Sequence, residues 1–207
     1  MTSLPPDADW RVEHRAAIEA LFAKSKMGKS SRHQSPSGRY ELQIVARIPR
    51  RGWEYSEGTV RDRGGNSIAV IRRNYPQFPF AWCEDHPSGH DLLICGEDYQ
   101  GQTIIELDTG ERTGYLPGAA ESGHGFCWTK QYVAPDKTVL IVDGCNWACP
   151  YELVAFDFSQ PMQLPYPELH RWPGDFRAAE GFDDSSTLRW TFDREVRLSV
   201  VETKAWE

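Results

Sequence analysis

A chain of 207 residues has room for one domain with a full core, and a content of 40% apolar and 12% aromatic residues argues against a disordered chain. With 23 basic and 30 acidic side chains the formal charge is −7, which disfavours a nucleic-acid backbone as the partner of the whole molecule. The balance is uneven, because residues 1–51 carry 10 basic and 5 acidic side chains while the remainder is net −12.

The first predicted element is a helix over residues 9–25, "DWRVEHRAAIEALFAKS", in which Ala17, Ile18, Leu21 and Phe22 form an apolar stripe at helical spacing. That stripe is expected to dock on the body. "KMGKSSRHQSPSG" then mixes Lys, Ser, Gly and Pro without periodicity and reads as a linker. The organisation is therefore a helix and linker over 1–35 followed by a β domain over 36–207.

From Arg39 onward short β segments alternate with turn residues. One full unit runs "FAWCED", "HDLLICG", "QTIIELD" and "RTGYLP"; a second runs "FCWTKQYV", "TVLIVDG", "YELVAFD" and "MQLPYPEL". Matching landmarks, among them Phe80 with Phe126, Trp82 with Trp128 and Gly96 with Gly144, lie 46 to 49 residues apart. Four short antiparallel strands at that period are the signature of a propeller blade. The segment from Arg39 to Asn74 supplies a second, third and fourth strand, and "RAAEGFDDSSTLRWTFDREVRLSVVE" supplies a first three. The predicted fold class is thus all-β, a propeller-like succession of about four antiparallel blade units, either a closed small propeller or open stacked sheets, with one N-terminal helix. A sandwich or barrel is the competing architecture.

In general layout the chain resembles WD-type propeller repeats across residues 36–203, without their Gly-His and Trp-Asp signature in register. "EDHPSGHDLLICGEDYQGQTIIELDTGE" and "DGCNWACPYE" resemble segments of a family of uncharacterised bacterial proteins. That resemblance implies a fold and carries no activity, cofactor or catalytic residue.

Blade topology sorts the loops. One end collects "RRGWEYSEG", "GEDYQG" and "GCNWACP", together with the connections "YPQFP", "GAAESGHG" and "HRWPGD". These loops bring Trp53, Tyr55, Glu57, Glu97, Asp98, Tyr99, Asn146, Trp147 and Trp172, with Tyr75, Glu54 and His124 nearby, to what reads as an aromatic and acidic binding face. The alternative is that the rings cover the ends of the sheets. A catalytic reading takes His124 as base, Asp98 or Asp143 as its orienter, and Cys145 or Cys149 as nucleophile.

His86 and His90 in H-x₃-H spacing, with Glu84, Asp85 or Asp91 beside them, and Cys145 with Cys149 in C-x₃-C spacing are the metal candidates. The same topology sets the two pairs at opposite strand ends, about 20 Å apart at strand rise. They do not share one ion, and no metal or cofactor is assigned. His86, next to Pro87, reads as a turn residue hydrogen-bonded to a backbone or carboxylate group.

No window reaches the roughly 18 apolar residues of a membrane span, and the N-terminus lacks a signal-peptide apolar core. Five cysteines without a secretion signal argue against a disulfide framework and read mostly as buried thiols, with a local disulfide or a small metal site with His124 left open for Cys145 and Cys149, and the localisation reads as cytoplasmic. The function expected is non-enzymatic recognition of a protein or peptide, favouring a basic partner and with toxin neutralisation as one variant. The rival is a small-molecule hydrolase or lyase at the same loop end. A homodimer enters as the case in which the incomplete end units pair between chains.

Overall fold

The computed structural model describes residues 9–147, 149–172, 190–192 and 198–200. A helix, α1 (Asp9–Ala23), precedes three four-stranded antiparallel meanders. Sheet 1 is β1 (Lys26–Gln34), β2 (Tyr40–Ile48), β3 (Tyr55–Asp62) and β4 (Ser67–Arg73). Sheet 2 is β5 (Ala81–Cys83), β6 (Leu92–Cys95), β7 (Gln102–Glu106) and β8 (Arg112–Tyr115). Sheet 3 is β9 (Phe126–Val133), β10 (Val139–Asn146), β11 (Glu152–Asp157) and β12 (Glu168–Trp172). A two-stranded ribbon, β13 (Trp190–Phe192) with β14 (Leu198–Val200), follows. The all-β class with one helix stands. Among the described residues there are three four-stranded sheets and no fourth of that kind.

Two boundaries differ from the sequence reading. The stretch read as a linker is strand β1, paired with β2 from Lys26 opposite Ile48 to Gln34 opposite Glu41, so sheet 1 is complete. Its side chains are mostly exposed, and backbone pairing at a sheet edge leaves no apolar alternation to read. The last strand of sheet 3 is Glu168–Trp172 rather than "MQLPYPEL", whose Met162, Leu164 and Tyr166 pack on the core between sheets 2 and 3 from a loop. Of the final segment only 190–192 and 198–200 are described; its remaining residues lie outside the described ones.

The sheets stack face to face. Leu42, Val60 and Ile71 of sheet 1 meet Leu93, Cys95 and Ile105 of sheet 2. On the opposite face of sheet 2, Leu92, Ile94 and Ile104 meet Trp128, Leu140 and Val142 of sheet 3. This explains the unbroken apolar run "LLIC" and the adjacent Ile104 and Ile105, since a strand buried on both faces has no solvent side to alternate with. Each such fully buried Leu or Ile contributes about 2 kcal/mol. A third cluster, with Tyr132, Val139, Ile141 and Leu153, occupies the far face of sheet 3.

One turn recurs in all three sheets. Ser35, His86 and Ala134 each precede a proline, and each accepts through its carbonyl a bond from a residue three positions on, Gly38, Gly89 or Lys137. Those three residues all have positive φ, of 71°, 89° and 63°. Glycine meets that geometry without strain, whereas Lys137 adopts it as a non-glycine residue.

At this turn end polar side chains fasten neighbouring sheets. Arg39 Nη1 lies 2.7 Å from Asp91 Oδ2, and Tyr40 donates its hydroxyl to Asp91 at 2.8 Å and to Asp108 at 3.2 Å. Ser35 and the Ser37 amide donate to Glu84, each at 2.8 Å. Lys137 Nζ donates to the Asp85 carbonyl at 2.9 Å, joining sheet 3 to sheet 2. His86 is a turn residue, bonded through Nδ1 to Ser88 and through Nε2 to the Phe158 carbonyl.

Helix α1 docks on sheet 1 by a narrower line than its sequence stripe. Ile18 and Phe22 are buried with Tyr55, while Ala17 and Leu21 are exposed. Polar contacts extend the line. Arg11 Nε donates to the Leu116 carbonyl at 3.0 Å, His14 reaches Asp98, and Glu19 pairs with Arg72. No helix among the described residues is long and apolar enough to cross a membrane.

Candidate functional site

At the end opposite the repeated turns, loops from three successive sheets converge. Trp53 comes from the β2–β3 loop, Tyr75 from the β4–β5 connection, Tyr99 from the β6–β7 loop and Trp147 from the β10–β11 loop. Tyr75 stands at the centre, its ring centroid 5.9 Å from Trp53, 5.6 Å from Tyr99 and 6.4 Å from Trp147. Tyr99 and Trp147 meet edge to face at 5.4 Å, and Trp53 reaches Trp147 at 6.4 Å. Such geometry suits aromatic quadrupoles and adds about 0.5–1.5 kcal/mol per pair beyond area burial. Trp53 and Trp147 nonetheless remain about half exposed.

Beside the rings opens a cavity of about 570 Å³. Tyr75, Tyr99, Trp147 and Tyr151 form its aromatic side. Its other walls come from Arg73, Gln77, Phe78 and Pro79, and from Cys127 to Lys130, Asp143 and Cys145 on the first two strands of sheet 3. Phe78 is seated because position 58 is glycine: a Cβ there would lie 2.6 Å from its ring.

The loop bearing Tyr99 is held rigidly. Arg73, 4% exposed, donates from Nη1 to the carbonyls of Gly96 and Asp98 and from Nε to that of Gln77. Asn74 donates to Asp98 Oδ2 at 2.5 Å and accepts the Tyr99 amide at 3.0 Å. Asp98 Oδ1 accepts the Gln100 amide at 2.7 Å, and His14 Nε2 reaches Asp98 Oδ2 at 2.6 Å. Burial pushes the Arg73 guanidinium down to about 10, opposed by the nearby Asp98 charge, so it stays cationic at neutral pH.

Of the residues singled out from sequence, Trp53, Tyr99 and Trp147 meet in this cluster, and Asn146 sits at the end of β10 immediately before it. The rest are placed elsewhere. Tyr55, the first residue of β3, turns under helix α1 and stacks against Phe22 at 5.8 Å. Trp172 is buried in the core on the far face of sheet 3, in ring contact with His170. The carboxylates are engaged internally: Glu57 with Arg72, Glu97 with Arg112, and Asp98 with Asn74 and His14. The expected acidic rim is therefore reduced to Glu54, which is exposed. Burial raises the Glu97 carboxyl, with Arg112 opposing the rise.

The catalytic constellation does not assemble. His124 is exposed and bonded to Ser122, outside the cavity lining, while Asp98 serves the loop anchor. Cys145 lines the cavity, and Cys149 is exposed in the following loop. Burial pushes the Cys127 thiol up to about 11 with Cys145 adding to it, and it raises Cys145 with Cys149 adding. These are neutral thiols at neutral pH rather than activated nucleophiles. Burial likewise raises Tyr99 and Tyr151, leaving their hydroxyls neutral. What the arrangement offers is a ring-walled recess with neutral hydroxyls, the buried Arg73 cation and the buried Asp143 carboxylate.

Sequence reasoning missed Arg73, Asn74 and His14. These bonds reach partners 23 to 84 positions away, and no local pattern marks them.

No protein-family model matches the sequence. Among known proteins the chain is similar to uncharacterized protein R762 of Acanthamoeba polyphaga mimivirus, at 31% identity over 183 residues, covering 83% of this chain and 67% of the viral protein. The chain belongs to the same family as that mimivirus protein.

Proposed function

We propose that this is a non-enzymatic recognition protein that captures a protein or peptide at the ring-lined end, seating one apolar or cationic side chain in the cavity. The observation that carries this reading is the convergence of Trp53, Tyr75, Tyr99 and Trp147 from three different sheets on one partly exposed spot. Large rigid rings exclude water over a wide area at small entropic cost, which is the chemistry of binding hot spots. A cationic side chain gains further from the ring faces. With the rim carboxylates engaged internally, preference for a basic partner rests on the rings and Glu54, the recess wall itself holding both the Arg73 cation and the Asp143 carboxylate.

The recess is concave, a feature shared with enzymes, but His124 stands outside it and its thiols are not activated, which favours binding over hydrolysis or lyase chemistry. The three stacked meanders and their shared turn support a blade-type, propeller-like array. The five free thiols suit a cytoplasmic setting.

The test is affinity capture from native extract with the tagged protein and its Tyr99→Ala and Trp147→Ala variants. Each replacement is expected to lower retention of a stoichiometric partner by tenfold or more. Undiminished capture by both variants would falsify the assignment of this end.

A further inference from the structure

The cavity wall contains a feature that partner recognition does not use. Cys127 on β9 and Cys145 on β10 are direct cross-strand partners, and both line the cavity. Directly opposed residues of an antiparallel pair project to the same face with Cα atoms about 4.5–5.5 Å apart. A disulfide needs about 4.4–6.8 Å. Both residues are free thiols. Cys83 and Cys95 sit within the packed faces of sheet 2, and Cys149 points outward from the β10–β11 loop.

We propose that Cys127 and Cys145 form a cross-strand dithiol, a reversible modification site that a peroxide entering through the cavity converts to a disulfide. Cys145 is the first to react, being the less buried of the two. Its sulfur attacks one peroxide oxygen, the O–O bond breaks, and a sulfenic acid and one water form. The Cys127 sulfur then attacks the Cys145 sulfur, the S–O bond breaks, and the hydroxide leaves as a second water with the remaining thiol proton. The two thiols lose two electrons and the peroxide gains them. A small dithiol reverses the bond by exchange. Because burial raises both thiols, the reaction is slow at neutral pH and quickens as pH rises. The disulfide clamps β9 to β10 two residues before Trp147, so oxidation stiffens one wall of the recess.

The experiment treats the full chain with hydrogen peroxide, alkylates remaining thiols under denaturing conditions, and digests it with trypsin and chymotrypsin. Chymotrypsin cuts after Trp147 and so separates Cys145 from Cys149. The expected result is a linked pair of peptides joining Cys127 to Cys145, with Cys149 alkylated, and its disappearance after dithiothreitol. Cys149→Ser keeps the link, and Cys145→Ser abolishes it, leaving Cys127 alkylated. A Cys145–Cys149 link instead, or alkylation of all five cysteines after peroxide, overturns the proposal. Mapping a bond in the isolated protein does not involve a partner, so this outcome is independent of the capture test.

Discussion

The two ends of the sheet stack are built from different materials for different purposes. At the turn end, Arg39, Tyr40, Glu84, Asp91 and Asp108 are matched donor to acceptor across the gap between sheets 1 and 2. At the ring end, the corresponding loops place Trp53, Tyr75, Tyr99 and Trp147 against one another and leave a recess of about 570 Å³ beside them. Directional bonds fix the spacing of sheets, and once satisfied they offer nothing to a visitor. Ring contacts are less directional than hydrogen bonds, tolerate partial exposure and can be exchanged for contacts with a partner. The same stack of sheets thus carries a fastened end and an end with an open recess.

The sharpest way to break that contrast is Asp91→Ala. Asp91 is 3% exposed and accepts from the Tyr40 hydroxyl and the Asp85 amide as well as pairing with Arg39. Stranding these donors is expected to cost about 3 kcal/mol in urea unfolding. A loss below about 1 kcal/mol would show that the turn end is not the fastening point. Tyr40→Phe is expected to cost about 1 kcal/mol at neutral pH.

Tyr40 also gives the contrast a pH signature. Burial, then Asp91, raises its hydroxyl well above the ordinary 10.0. A raised value means that the contribution is complete below pH 10 and declines as pH climbs from there toward the folded value. The stability gap between wild type and Tyr40→Phe should accordingly narrow above pH 10, as measured by urea unfolding at stepped pH; a constant gap would contradict the assignment. At the other end Trp147→Ala, with its ring about half exposed, is expected to change stability by less than about 0.5 kcal/mol. A larger cost would mean that the ring cluster is there to hold the loops.

The strands of sheets 2 and 3 could be read from sequence because two-sided burial produces apolar runs, and the X-Pro turns punctuate them at a fixed interval. Strand β1 could not. "KMGKSSRHQ" lies on an edge, and its membership depends on backbone bonds to β2 that side-chain pattern does not encode. The rings of Trp53, Tyr99 and Trp147 were legible because equivalent loop positions in stacked units must meet. Tyr55 and Trp172 look the same in the chain, yet each lies within a strand, where a step of one residue decides which face it serves. Acidic loop residues were legible as charges but not as pairs, since Arg72 and Arg112 reach them from neighbouring strands.

Sheet 2 has a further consequence. With Leu93 and Ile105 committed to one neighbour and Leu92 and Ile104 to the other, its central strands β6 and β7 possess almost no water-facing side of their own. Its free energy is therefore almost wholly interfacial, the behaviour of the middle member of a one-dimensional array coupled to its nearest neighbours. During synthesis it emerges with one face already sheltered by sheet 1 and the other bare until sheet 3 follows. The interval between those two events is the moment of greatest exposure in the life of the chain.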